Sequence, residues 1–162
     1  MPAKKKPEAA RVVILLGSKS DLPVMEGMYP LLERFGLSWE LHVASAHRQP
    51  EKLKRIVRGA EKAGTEIFVA AAGMAAHLPG VLASMTAKPV IGVPISAGPL
   101  AGVDALLSIV QMPPGVPVAT VAIGSAGAKN AACLAARILA LGDKKVAAAL
   151  DAYIKELARG GK

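Results

Sequence analysis

The feature that most limits what this chain can fold into is a regular alternation of two patterns. Short apolar runs bounded by glycine or proline alternate with longer stretches in which apolar residues recur at helical spacing. RVVILLG (11–17) is a β-branched run stopped by Gly17, read as a buried strand. SDLPVMEGMYPLLERFG (20–36) opens on cap-type Ser20 and Asp21 and closes at Gly36, which marks a helix. Pro30 falls inside it and predicts a kink or break. SWELHVAS (38–45) reads as the second strand. The next helix spans 50–64, with Pro50 in its first turn, Leu53, Ile56, Val57 and Ala60 on one face, and Gly64 as the stop. The same alternation gives strands at 65–73, 88–94 and 116–124, and helices near 75–86, 102–112, 126–141 and 143–160.

Strand–helix–strand repetition implies right-handed crossovers, hence an α/β fold with a central parallel sheet and helices on both faces. A chain of 162 residues is long enough to bury one substantial core as a single domain, taken as 11–162 behind a basic tail at 1–10. Aromatic residues make up only 3%, so that core must be assembled from Ala, Val, Leu and Ile. Two stretches, 67–87 and 105–128, carry no charge and reach the length that spans a bilayer. Both contain glycine and proline where a membrane helix would have to continue. Each is better divided into a strand and a helix, and no membrane role is expected.

The formal charge of +8 raises nucleic acid as a partner. Much of the excess sits at the two ends of the chain, and two Tyr, two Phe and one Trp offer little stacking surface. No nucleic-acid partner is expected; a small anionic ligand suits the remaining charge. The one cysteine, Cys133, lies in an Ala-rich helical pattern and reads as a small buried hydrophobe. Three histidines at 42, 47 and 77 show no metal-ligand spacing, so no metal site is expected.

In parallel sheets ligands bind beyond the carboxyl ends of the strands, so the chemistry belongs in the post-strand loops. GSKSD (17–21) would aim free N–H groups and a helix dipole at a phosphate, with Gly17 at the turn and Ser18 and Ser20 as hydroxyl donors. Asp21 suits sugar hydroxyls. On this loop alone, simple helix capping by Ser20 or Asp21 is the better account of the residues. SAHRQP (45–50) sets His47 beside Arg48. Arg48 can clamp a phosphate or carboxylate in a planar, paired fashion, and an imidazole exchanges protons near neutrality. GMAAHLPG (73–80) places Gly73 at a strand end, open to close approach by a ligand, and His77 in the first turn of a helix. PISAGPLAG (94–102) is Gly/Pro-rich and reads as a cover.

These loops, together with GVD (102–104), LLSIVQMP (106–113), GVPVATVAIG (115–124) and AGAKNAA (126–132), resemble the class I form of the 5-(carboxyamino)imidazole ribonucleotide mutase family over residues 11–141. The resemblance implies a flavodoxin-like three-layer sandwich assembled as a cytoplasmic homo-octamer. It also implies that a C-terminal helix within 142–162 packs on a neighbouring subunit. The implied reaction moves a carboxyl group from the exocyclic nitrogen of an imidazole ribonucleotide to ring carbon 4, in purine (IMP) biosynthesis, without metal or organic cofactor. It puts the acid/base on His47 with His77 in support, and nucleotide contacts on Ser18, Asp21 and Arg48. Gly17, Ser20, Ser45, Ala46, Gly73 and Leu78 complete the implied binding set. Where the family commonly has Gly, Thr and Ser, this chain has Met74, Gln49 and Ala105. Two other functions compete: a class II carboxylase using the aminoimidazole nucleotide and free CO2, and a nucleotide-binding module that would have no use for His47.

Overall fold

A computed structural model describes residues 9–161; most of the basic tail expected at 1–10 lies outside them. Five strands form one parallel sheet: β1 (Val12–Leu16), β2 (Trp39–Val43), β3 (Ile67–Gly73), β4 (Val90–Ile95) and β5 (Ala119–Thr120), in the order β2-β1-β3-β4-β5. After a single 3-10 turn at Lys19–Asp21 come seven α-helices among the described residues. These are α1 (Leu22–Met25), α2 (Tyr29–Arg34), α3 (Pro50–Ala63), α4 (His77–Ala83), α5 (Val103–Val110), α6 (Ser125–Ala140) and α7 (Lys144–Ala158). No helix among them is long and apolar enough to cross a membrane.

The period-2 geometry of the strands divides the core in two. Val12, Ile14 and Leu16 of β1, with Ile67, Val69, Ala71, Ile91, Val93 and Ile95, pack against α1, α2, α6 and α7. Val13 and Leu15, with Phe68, Ala70, Ala72 and Val90, meet α3, α4 and α5 on the other face. The result is a three-layer sandwich, as the alternation of elements predicts. Each fully buried Leu, Ile or Phe contributes about 1.5–3 kcal/mol of hydrophobic burial. Ala128, Ala131, Ala132, Ala135 and Ala136 are fully buried, so α6 rests on the sheet largely through methyl groups. Small side chains here do what aromatic bulk does in other cores.

Three elements differ from the sequence reading. The helix expected over 20–36 is broken, but at a 3-10 turn over Glu26–Met28 rather than at Pro30, which sits in the first turn of α2 where its missing N–H costs nothing. The fifth strand shrinks from nine expected residues to two. Pro94 is the cause. Its carbonyl accepts from the Gly124 amide (2.8 Å), so its nitrogen also faces the β5 side and has no hydrogen to give. The last helix packs its first half on its own domain, burying Val146 and Leu150 beside α6, while Ile154 and Leu157 farther along stay exposed.

Gly92 in β4 has no room for a side chain. A Cβ there would stand 2.4 Å from Ile109 Cγ2 and 2.8 Å from Val118 Cγ1. Gly92→Ala should therefore cost about 1–3 kcal/mol of unfolding free energy, by forcing α5 away from the sheet. Urea unfolding monitored by far-UV circular dichroism checks this.

Candidate active site

Chain order and strand order part company at β1. β2 lies on one side of it and β3 on the other, so the connections after β1 and β3 leave toward opposite faces and a crevice opens between them. A cleft of about 520 Å³ occupies that place, at the carboxyl ends of β1, β2 and β3. Its walls come from four loops, those after β1, β2, β3 and β4. A cavity of about 580 Å³ at the opposite end of the sheet is lined by Arg11, Glu66 and Asp143. Those three are tied to one another: Arg11 is paired with Glu66 and bonded to Asp143 Oδ2 at 2.7 Å. Asp143 also caps α7, accepting from the Lys145 and Val146 amides. At that second cavity Arg11, Glu66 and Asp143 are already partnered with one another and serve as a structural junction.

The loop after β1 forms a closed capping box. Ser18 Oγ accepts from the Ser20 amide at 3.3 Å, and Asp21 Oδ2 accepts from the Ser18 amide at 3.0 Å. The Ser20 hydroxyl donates to Ser18 Oγ at 2.8 Å. Capping thus falls to Ser18 and Asp21, not to Ser20. The expected ring of free N–H groups is reduced as well, because two of these amides are spent within the loop. The element that follows is a three-residue 3-10 turn, too short to develop a strong dipole. What remains for a ligand are the hydroxyls and the nearly buried Asp21 carboxyl, which is 8% exposed. Burial pushes that carboxyl above its ordinary value, while hydrogen bonds from Ser18 and Ser20 pull the other way.

The loop after β2 is pinned at its base, where Ser45 Oγ accepts from the Arg48 amide at 3.3 Å. Arg48 is exposed and, among the described residues, takes part in no ion pair. His47 faces His77 across the cleft, with Nε2 of the first 2.5 Å from Nδ1 of the second and the rings nearly perpendicular at 86°. Such a contact needs one donor and one acceptor. Either His47 carries the shared proton and its own Nδ1 is bare, or His77 carries it and the bare nitrogen is His77 Nε2. The bare nitrogen always belongs to the ring that donates, and exchanging the two arrangements takes one proton across the contact and a second between the outer nitrogens.

The loop after β3 is tight. Met74 and Ala76 take positive φ of 56° and 41°, and His77 begins α4 directly behind them. Gly73 is required for a reason the sequence did not reveal. A Cβ there would stand 2.8 Å from Ala97 Cβ and 3.1 Å from the Ile95 carbonyl, so the glycine lets the ends of β3 and β4 close together.

All the residues singled out in the sequence line this one cleft: Gly17, Ser18, Ser20, Asp21, Ser45, Ala46, His47, Arg48, Gly73, His77 and Leu78. Ala72, Ala75, Ala76 and Ala97 were not singled out by sequence reasoning, yet with Met74, which that reading put on the site loop, they form much of the apolar wall. Their only signal was position, at or just beyond a strand's end.

The sequence profile of the AIR carboxylase family matches residues 11–160. The chain belongs to that family. Among curated relatives, the N5-carboxyaminoimidazole ribonucleotide mutase of Pyrococcus horikoshii is 50% identical over 98% of this chain and 89% of its own length. The mutases of Pyrococcus abyssi and Thermotoga maritima are 53% and 50% identical, each over 92% of this chain, covering 84% and 86% of their own lengths. Among solved structures, Treponema denticola PurE superposes with a TM-score of 0.84 at 31% identity, over 92% of both chains. Membership of the AIR carboxylase family accounts for the strand order and for the concentration of polar groups in the four loops.

Asp21 supplies a test of the cleft's electrostatics. Its carboxyl is raised in the folded chain, so folding disfavours the ionised form. That penalty is absent at low pH, grows as pH rises from the ordinary carboxylate value through the raised one, and is constant above. Asp21→Asn should therefore gain stability relative to the parent chain at about pH 7 and lose that advantage toward pH 3. Thermal unfolding of both proteins across this range measures it.

Proposed function

We infer that the chain catalyses conversion of 5-(carboxyamino)imidazole ribonucleotide to 4-carboxy-5-aminoimidazole ribonucleotide, an isomerase step of de novo purine biosynthesis. The observation that carries this reading is the His47–His77 pair, held 2.5 Å apart in a cleft that also holds the exposed cation of Arg48. A binding module has no need of a proton-sharing pair beside its anion clamp.

In this reading the nucleotide phosphate sits against Arg48 and the hydroxyls of Ser18 and Ser20, and Asp21 accepts from the ribose. Gly17, Ser45, Ala46, Gly73 and Leu78 shape the surrounding wall. Protonated His47 gives its proton to the exocyclic nitrogen as the nitrogen–carboxyl bond breaks, leaving CO2 and the neutral amine side by side. Ring carbon 4, electron-rich through the amine, attacks that CO2. The now neutral imidazole takes the proton from carbon 4, which restores the aromatic ring and the starting state of the enzyme. One proton leaves and one returns, so no external acid, metal or organic cofactor enters. His77 holds the orientation of His47 and shares its proton. A positioned acid/base of this kind is worth about 10²–10⁴ in rate, and holding two fragments together supplies more.

The curated mutases at about half identity favour the N-carboxylated substrate over the free amine with CO2. The second half of α7, with Ile154 and Leu157 exposed, supports assembly through the C-terminal helix into a homo-octamer. The same reading places the protein in the cytoplasm with the rest of purine synthesis.

His47→Asn should lower turnover by about 10²–10⁴ while leaving the affinity for 4-carboxy-5-aminoimidazole ribonucleotide within a few-fold, read by steady-state kinetics and calorimetry. Full activity in that variant would falsify the proton-carrier role. The substrate is decided by offering the carboxyamino nucleotide in one vessel, and the aminoimidazole nucleotide with bicarbonate in another. The mutase converts the first efficiently; conversion of the second alone makes it a carboxylase.

A further inference from the structure

Met74 stands where the backbone favours glycine. Its φ is +56°, a left-handed conformation that a residue with a side chain adopts only under strain. The residue two positions on, Ala76, is also left-handed at +41°, so two non-glycine residues hold this loop in a costly shape. Packing does not hold Met74 there, because its side chain is 58% exposed. The strain instead hangs a thioether on the rim of the cleft, of which Met74 is a lining residue.

Across from it lies the loop 96–102 after β4, equally irregular, with positive φ at Gly98, Ala101 and Gly102. The two loops already touch. Ala97 sits against Gly73, and a Cβ built on Gly98 would fall 3.6 Å from Met74 Cγ. Gly98 itself takes a positive φ of 71°, so the rim beside the methionine carries no side chain at that point. A thioether with three rotatable bonds is suited to cover an aromatic ring whose position is set by other groups.

We propose that Met74 is a positioning residue that folds across the mouth of the cleft onto the imidazole ring of the bound nucleotide, and with Ala97 and Gly98 seals the reacting centre from water. The proposal rests on the reaction inferred above, in which a CO2 fragment must not escape between two bond changes. Sealing makes carboxyl transfer efficient: each CO2 lost leaves one molecule of free aminoimidazole nucleotide in place of product. A glycine at this position would fit the backbone without strain and leave the mouth open.

Two measurements test it on the full-length protein. In the first, Met74→Gly and Met74→Leu are compared with the parent chain for free aminoimidazole nucleotide released per molecule of 4-carboxy product, starting from the carboxyamino nucleotide. Met74→Gly should keep the fold, checked by an unfolding temperature no lower than the parent's, and raise that ratio roughly fivefold as enclosure is lost. Met74→Leu, which keeps apolar bulk on the rim, should stay near the parent ratio. An unchanged ratio in a folded Met74→Gly protein overturns the proposal. In the second, dilute hydrogen peroxide oxidises the parent protein with and without the 4-carboxy nucleotide, and Met74 sulfoxide is quantified by peptide mass spectrometry. Bound nucleotide should slow oxidation of Met74 several-fold; equal rates overturn the seal. The 4-carboxy nucleotide is product of the mutase and of the carboxylase alike. If the parent chain fails to convert the carboxyamino nucleotide, the mutase reading falls while the oxidation result still decides Met74.

Discussion

Everything at the functional end of this molecule depends on one topological constraint: β1 lies between β2 and β3, so the chain must leave β1 and β3 toward opposite faces of the sheet. Had the strands followed chain order, the connecting loops would have stacked along one face and closed over the strand ends. The right-handed crossover rule forces the split once β2 is added on one side and β3 on the other. The cleft is what remains, a gap that no element of the fold can fill. The opposite end of the sheet shows the contrast. There the start of β1 is locked to β3 and to the cap of α7 through Arg11, Glu66 and Asp143, and the charges satisfy one another. At the cleft, the charge of Arg48 has no such partner among the described residues.

Much of the fold was legible because its signals are local. Buried parallel strands must be apolar on both faces, and RVVILLG and TEIFVAAAG admit no other element at their length. The fifth strand was misjudged because its length is set elsewhere. VPVATVAIG has strand character throughout, but its partner offers Pro94 where an N–H is needed, and no inspection of 116–124 reveals that. The break in the second element was placed at Pro30 because proline is the visible breaker. In the structure the proline follows the break and starts the next helix, which is where a missing N–H is tolerated. Within its own chain the C-terminal helix buries Val146 and Leu150, while Ile154 and Leu157 farther along stay exposed.

The site was legible as a set of loops and not as a set of contacts. The rule about strand ends selected the right residues, yet His47 and His77 are thirty positions apart and nothing in either loop shows that their rings meet. Nor could the sequence tell that Ser18 and Asp21 complete a capping box, which makes the loop rigid and spends the amides that were expected to face a phosphate. In the function proposed above, the weight of holding a phosphate accordingly falls on Arg48 rather than on backbone dipoles. A guanidinium holds an anion by charge and by paired hydrogen bonds, so its strength survives the loss of a long helix behind it.

The alanine content, which first looked like a curiosity of the core, bears on the chemistry as well. Alanines at 46, 72, 75, 76 and 97 line the cleft, as do Gly17 and Gly73, and they fall where strands end and loops from neighbouring strands converge. Larger side chains at those points would fill the crevice that the topology opens. A wall of methyl groups also offers no hydrogen bonds. Ordered water in an apolar recess finds few partners, so it is readily displaced by a planar ring. The same wall suits CO2, which carries no net charge and donates no hydrogen bond, and so loses little on leaving water. Beside that wall stand the exposed Arg48 and the His47–His77 pair, which supply the polar contacts the methyl groups lack. The small residues that let α6 rest on the sheet and the small residues that keep the cleft open are one solution to one problem. A thin, close-packed sandwich leaves room for a cleft where the strands end, and Asp21, His47, Arg48 and His77 line it.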